Sequence, residues 1–179
     1  MRNTHLFAIA LPALAGAVLV SGPARAAELV VAGTPEHEGV VVGTGIHPGV
    51  QIEGNVGSGF SDLYSVGFGG RLGYTTGPGI YLGGNLEHFI GRDAIGAPHN
   101  TLAGGEAGLK IFPTYKLEVR PYGFVGAEIP SNGGTSLAVA PGVVAAYHFG
   151  QAFIDADARY LVTPNPQTFM LMGGAGLGF

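Results

Sequence analysis

The chain has 179 residues, enough for one domain, and combines 46% hydrophobic with only 11% charged residues and no cysteine. A soluble domain carries about 25% charged residues, so this composition disfavours a protein whose whole surface faces water. The high apolar content equally disfavours intrinsic disorder.

The first 26 residues predict a secretory signal peptide that is cleaved after Ala26. Arg2 gives a basic start, an apolar stretch follows, and residues 24–26 have the small-x-small pattern of a cleavage site. Pro12 and Gly16 interrupt the apolar stretch, which disfavours the alternative of a retained membrane anchor. Cleavage would leave 12 acids and, without Arg2 and Arg25, 6 of the 8 bases. The resulting formal charge of −6 gives no support for nucleic-acid binding.

Residues 27–48 mix short valine runs with Pro35 and acidic residues, and they predict a periplasmic lead-in or an early strand. No later stretch contains 18 consecutive apolar residues, so no transmembrane helix is predicted after export.

From residue 49 onward the apolar residues recur with a period of two, which predicts β-strands. Eight segments follow in chain order: 50–57, 64–76, 80–90, 101–112, 117–129, 137–149, 152–162 and 168–179. Most reach the length of about 9–11 residues that a tilted membrane-spanning strand needs. Short and longer connectors alternate along the chain. With an even number of strands, both chain ends and every short turn lie on the same side, which is the periplasmic side of a barrel. Pro121 and Pro141 lie inside strands, where each removes a ladder hydrogen bond. A bulge or local shear could accommodate them, and the sequence leaves open how they are accommodated.

The charged residues of these segments share one face. None lies on the opposite, apolar face. This arrangement suits an apolar band that faces lipid around an interior of paired charges, since unpaired buried charges are costly. The predicted lumen charge network consists of Glu53, Arg71, Glu87, Glu106, Lys110, Glu118, Arg120, Glu128, Asp155, Asp157 and Arg159.

A sheet in hydrocarbon must close on itself, because lipid offers no partners for the backbone groups of an open edge. The predicted fold of residues 49–179 is therefore an all-β, closed antiparallel transmembrane β-barrel of about eight strands, preceded by a cleaved signal peptide. Side chains fill the interior of so small a barrel, so the charges predict a plugged lumen. Aromatic residues near strand ends, including Tyr64, Tyr74 and Phe179, are expected at the membrane interfaces. His88 falls on the lipid face near the outer end of its strand.

These features resemble the small outer-membrane β-barrel proteins of Gram-negative bacteria, the OmpA/OmpX-like type of the porin-like superfamily. The resemblance covers residues 49–179 and rests on the signal peptide, the eight alternating strands and the final strand. It implies the cell outer membrane as the location, a monomeric state, and outer-membrane lipid, lipopolysaccharide and the barrel-assembly machinery as partners. The alternating C-terminal residues look like the signal that this machinery recognises: Phe169, Leu171, Leu177 and Phe179.

No cofactor or metal site is predicted. Asp155 and Asp157 share a face with Arg159, which favours a salt-bridge cluster over a metal pair. The six histidines show no i,i+4 or H-x-H spacing, which disfavours zinc.

The predicted function is a structural or surface-interaction role without enzymatic activity. Loops 91–100 and 131–136 are the candidates for external contact. Three alternatives stay open: a narrow-pore channel, a soluble periplasmic lipocalin-like binding barrel, and a lipid A-modifying enzyme. The last is disfavoured because no serine has a histidine at nearby strand spacing on its face and the His-x-Ser-Asn pattern of the deacylases is absent. A lipocalin-like barrel would reverse the two faces.

Overall fold

The computed structural model describes residues 48–91, 96–164 and 167–179. The predicted signal peptide (1–26) and nearly all of the predicted lead-in (27–48) lie outside the described residues. The strands are β1 (Gly49–Gly59), β2 (Val66–Thr75), β3 (Ile80–Ile90), β4 (Asn100–Leu109), β5 (Leu117–Pro130), β6 (Ser136–Phe149), β7 (Ala152–Leu161) and β8 (Thr168–Gly178), with a short 3-10 helix (Asp62–Tyr64) after β1. Among the described residues, no helix is long and apolar enough to cross a membrane.

Each strand pairs antiparallel with its neighbours in chain order, and β1 pairs with β8 to close the barrel. The Val50 N–H donates to the Phe179 carbonyl oxygen over 3.1 Å at this seam. The predicted all-β closed barrel of eight strands is confirmed.

The two ends of the barrel differ in their connections. The end that holds Gly49 and Phe179, called here the terminal end, also holds the connections after β2, β4 and β6. The shortest is the two-residue turn Gly150-Gln151, where a φ of 72° at Gly150 is a conformation that glycine adopts without strain. The opposite end, called the loop end, holds the other four connections.

The strand faces separate by polarity as the alternation predicts. Leu82, Val125 and Ile154 are 53%, 58% and 54% exposed on the outer face. Every Asp, Glu, Lys and Arg of the eight strands lies on the inner face. This arrangement is opposite to that of a lipocalin-like barrel.

The two prolines, whose accommodation the sequence left open, cause no bulge and no change of register. Two residues lie between Gly108 and Ile111, and two residues, one of them Pro121, lie between Val119 and Tyr122. The pairs Gly108↔Tyr122 and Ile111↔Val119 are therefore in the same register. Pro141 lies in the same way between Gly142↔Arg159 and Val139↔Val162. Both prolines are also paired in register between β5 and β6. The barrel therefore tolerates a local gap in one ladder because the pairs on both sides of it hold the register.

Tyr64 differs from its predicted place at the interface. The chain leaves the strand alternation in the 3-10 helix Asp62–Tyr64, and this turn directs the Tyr64 side chain into the barrel, where it is 0% exposed. The predicted segment 64–76 continued the period-two pattern to residues before β2 begins at Val66. Such a pattern could not show that the chain turns Tyr64 inward there.

Candidate functional site

The candidate site is the barrel interior, and the structure places all eleven residues of the predicted lumen charge network there. Nine are buried, while Lys110, just after β4, and Asp155 on β7 are half-buried. The buried ones are Glu53, Arg71, Glu87, Glu106, Glu118, Arg120, Glu128, Asp157 and Arg159.

Arg71 on β2 organises the charges in the middle of the barrel. Its Nη1 lies 3.1 Å from Glu53 Oε1 and its Nε lies 3.4 Å from Glu106 Oε1. Its Nη2 pairs with Asp157. The Tyr122 hydroxyl also donates to Asp157, over 2.8 Å. Four strands thereby contribute carboxylates or a hydroxyl around one guanidinium, an arrangement that links sequence-distant strands across the lumen.

A second group of polar residues lies toward the terminal end around Glu118. Its Oε2 is 3.1 Å from Lys110 Nζ and 3.0 Å from His148 Nε2, and its Oε1 is 3.8 Å from Arg120 Nη1. Lys110 also donates to Gln51 Oε1 over 2.8 Å. Burial lowers the pKa of Lys110, and the neighbouring Glu118 carboxylate opposes that shift. Strand alternation alone does not connect His148 with Glu118, because the two are neighbours only across β5 and β6.

Toward the loop end, Arg159 pairs with Glu87. The side-chain amides of Asn55 and Asn85 donate to the same carboxylate over 3.4 and 3.1 Å. Glu87 therefore contacts both a cation and neutral donors, which together offset the desolvation free energy of burying its charge.

Glu128, near the loop end of β5, is held by neutral donors. The Tyr64 hydroxyl, the Asn100 amide and the Ser136 hydroxyl donate to it over 2.6, 2.7 and 2.7 Å. Burial and the bond to Glu128 raise the pKa of Tyr64, which keeps the phenol protonated and donating. Sequence analysis expected the interior charges to pair with opposite charges, whereas the groups that contact Glu128 are neutral.

The predicted cluster of Asp155, Asp157 and Arg159 is divided among other partners. Asp157 pairs with Arg71, and Arg159 pairs with Glu87. Both carboxylate oxygens of Asp155 are buried without a hydrogen-bond partner among the described residues. Residues two apart on a strand share a face, but in a narrow barrel the nearest opposite charge lies across the lumen.

An apolar core that sequence analysis did not predict packs in the barrel interior, with most of its largest side chains toward the loop end. Phe89, Leu102, Phe124, Leu161 and Met170 are each 0–1% exposed and belong to one buried cluster. Phe124 lies in the middle of β5 and the other four lie near the loop end of their strands, all at inward positions, so the alternation itself could have identified them.

Glycines make room for the large interior side chains. A Cβ atom added at Gly73 would lie 2.3 Å from the Tyr81 ring, and one at Gly67 would lie 2.4 Å from the Phe89 ring. These close approaches require glycine at both positions.

The terminal end, in contrast, contains a cavity of about 400 Å³. Gln51, Lys110, Phe112, His148 and Phe153 are among its lining residues, so the Glu118 group forms part of its inner surroundings. The terminal end of the lumen thus contains a cavity, while large apolar side chains pack toward the loop end.

No group of three metal-ligating side chains occurs within residues 48–91, 96–164 and 167–179. The residues of the predicted assembly signal, Phe169, Leu171, Leu177 and Phe179, lie exposed on the outer surface of the barrel. Their recognition by an assembly machinery stays a prediction.

The comparisons with known proteins identify the fold. No family model and no curated protein matches the sequence. The N-terminal β-barrel domain of Pseudomonas aeruginosa OprF is similar over 74% of this chain and 100% of its own, with 17% identity and a TM-score of 0.60. Neisserial surface protein A is similar over 74% of this chain and 97% of its own, with 19% identity and a TM-score of 0.51.

These structures are eight-stranded outer-membrane barrels, and this chain has the same fold. The predicted resemblance to small outer-membrane barrels is confirmed at that level.

Proposed function

We propose that this protein is an integral outer-membrane β-barrel with a filled, non-conducting lumen and a structural or surface-interaction role. The observation that carries the proposal is the complete separation of the strand faces, with apolar side chains outside and every charged strand residue inside.

The energetics of the two faces support a membrane location. A lysine or arginine on the lipid face at the bilayer midplane costs about 2–4 kcal/mol. The strands place their arginines inside, where Arg71 and Arg159 contact carboxylates. An exposed apolar band around the whole barrel would be unfavourable in water but suits contact with acyl chains.

Two layers support a lumen that does not conduct. Toward the loop end, the apolar side chains of Phe89, Leu102 and Met170 pack inside the barrel beside the hydrogen-bonded group around Glu128. The Arg71 group occupies the middle of the barrel.

No catalytic group is assigned, and the proposal is a protein without enzymatic activity. Loops 91–100 and 131–136 at the loop end are the proposed surface for external contact. Lipopolysaccharide and the barrel-assembly machinery remain proposed partners.

Spin labels test the membrane location, because the chain contains no cysteine and each introduced cysteine is therefore unique. Labels at Leu82, Val125 and Ile154 should be accessible to oxygen in the bilayer and protected from aqueous relaxation agents. A label at Thr135, exposed in a loop-end connection, is the matched aqueous control. An aqueous environment at all three strand positions would contradict the proposal, as would outer-membrane fractions without heat-modifiable gel migration.

Planar bilayers test the filled lumen. Wild-type protein should give no measurable current, and Arg159→Ala should also give none, because the apolar core at the loop end remains. Arg120→Ala, toward the terminal end, should behave in the same way. Stable single-channel currents from the wild type would favour the narrow-pore alternative.

A further inference from the structure

We propose that a groove on the outer surface across β1, β2 and β3 binds one acyl chain of a phosphate-bearing lipid in the outer leaflet. The inference rests on the proposed membrane location and adds a specific lipid site to it.

Glycines create the groove, because they leave the sheet surface without side chains where two pairs lie close together. Gly54 is directly opposite Gly70, and Gly84 is directly opposite Gly105. The resulting depression has a volume of about 690 Å³, and Gly70 and Gly84 line it.

Large apolar side chains border the groove. Ile52, Leu72 and Leu86 line it and are 53%, 58% and 59% exposed, and Phe68 lines it toward the loop end. Their exposure means that the groove is not filled by the protein itself, and these side chains offer only apolar contact.

An acyl chain fits this surface better than a protein segment does. An α-helix has a diameter of about 10–12 Å with its side chains, whereas the groove is only as deep as the side chains that border it. A second copy cannot add a strand, because the closed barrel has no free edge. A hydrocarbon chain needs no hydrogen-bond partners, and this surface provides none through its bordering side chains.

The loop end of the groove carries polar groups suited to a headgroup. His88 lines the groove, stacks on His99 at a ring distance of 5.7 Å, and contacts the Thr101 hydroxyl through Nδ1 over 3.0 Å. His99 Nδ1 accepts from the Gly91 N–H, so the proton of a neutral His99 ring is on Nε2. The imidazoles can donate hydrogen bonds to phosphate oxygens at the interface. His88 lies four residues from Gly84, roughly 13 Å at about 3.3 Å per residue.

Tryptophan fluorescence tests the site, because the chain contains no tryptophan. Leu86→Trp places a single fluorophore at the groove. Leu171→Trp on β8 is the matched control, because Leu171 is also exposed on the outer face and does not line the groove. Each variant is folded into bilayers that contain increasing mole fractions of phosphatidylglycerol with brominated acyl chains, which quench nearby tryptophan.

Half-maximal quenching of Leu86→Trp should require a mole fraction at least threefold lower than that of Leu171→Trp. Adding Gly84→Leu should abolish this difference. Its Cβ would lie 3.7 Å from the nearest atom, so the barrel can accept the side chain that fills the groove. Gly173→Leu, on the outer face of β8, should leave the difference intact. Ile52→Trp repeats the measurement from another position bordering the groove.

Each other outcome has a distinct meaning. Equal quenching of both reporters would overturn the lipid site while supporting the membrane location. Weaker quenching at Leu86 than at Leu171 would mean that protein covers the groove, and would also overturn the site. No quenching at either position would overturn the proposed membrane location itself. Brominated diacylglycerol, which lacks phosphate, should lose the preference for the groove, and His88→Ala should abolish the preference for phosphatidylglycerol; a retained preference in either case would overturn the headgroup contact.

Discussion

The loop half and the terminal half of the barrel interior are built differently, although the same eight strands form both. The loop half contains tightly packed apolar side chains, with Glu128 held by neutral donors at its edge. The middle and terminal half contains most of the charges and opens into a cavity of about 400 Å³.

This difference shows that apolar packing and charge pairing occupy different parts of the interior of this small barrel. The network has seven carboxylates (Glu53, Glu87, Glu106, Glu118, Glu128, Asp155 and Asp157) but four cations (Arg71, Lys110, Arg120 and Arg159). Full pairing is therefore impossible, and Asp155 has no hydrogen-bond partner among the described residues. The proposed block to passage therefore rests on the apolar core and not on complete pairing of the charges. The charged half instead connects opposite strands, which makes its cations important for stability.

The largest effect is expected from Arg71→Met, which removes the central cation of the charged half. Glu53, Glu106 and Asp157 would then lose their shared partner, and breaking a buried ion pair in this way costs about 3–5 kcal/mol. The free energy of unfolding in urea, measured in lipid vesicles, should fall by that amount. Lys116→Met, in the connection between β4 and β5, is the control and should lower it far less, because this half-buried lysine contacts the ring of the exposed Tyr115 rather than a buried carboxylate. A loss for Arg71→Met no larger than that of the control would mean that the network is not stabilising.

A somewhat smaller effect is expected from Leu102→Ala in the loop half. Leu102 is 1% exposed in the apolar core, so truncation leaves a cavity and should cost about 2–4 kcal/mol. The matched control is Leu82→Ala on the outer face, where lipid can fill the space and only the transfer term is lost. Leu102→Ala should therefore be the more destabilising of the two in the same urea titration. Equal losses would indicate that the loop half is loosely packed.

The sequence predicted the terminal half in outline and the loop half poorly, for physical reasons. Alternation assigns faces, so it placed all eleven charged residues of the network inside the barrel. It carries no information on which residues meet across the lumen, so it did not pair Arg159 with Glu87. Tyr64 was misplaced because the 3-10 helix breaks the alternation before β2. The sequence also left open how the prolines are accommodated, because the pairs on both sides that preserve the register are visible only in the structure.

The smallest effect is expected at the contact between Tyr64 and Glu128, because this carboxylate is held by several neutral donors and not by a cation. Tyr64→Phe removes one donor over 2.6 Å, while Asn100 and Ser136 still donate to the carboxylate, so the expected loss is about 1.5 kcal/mol. Tyr74→Phe, exposed on the outer face, is the control and should change little. The pKa of Tyr64 is raised in the folded protein, so its stabilisation is fully present below the unfolded pKa of about 10 and declines as the pH rises above it. The difference in unfolding free energy between wild type and Tyr64→Phe should therefore be constant from pH about 7 to about 9 and narrow above about 10. A difference that instead grows above this pH would mean that the phenol ionises more readily in the folded barrel, and that Glu128 is not held by a neutral donor.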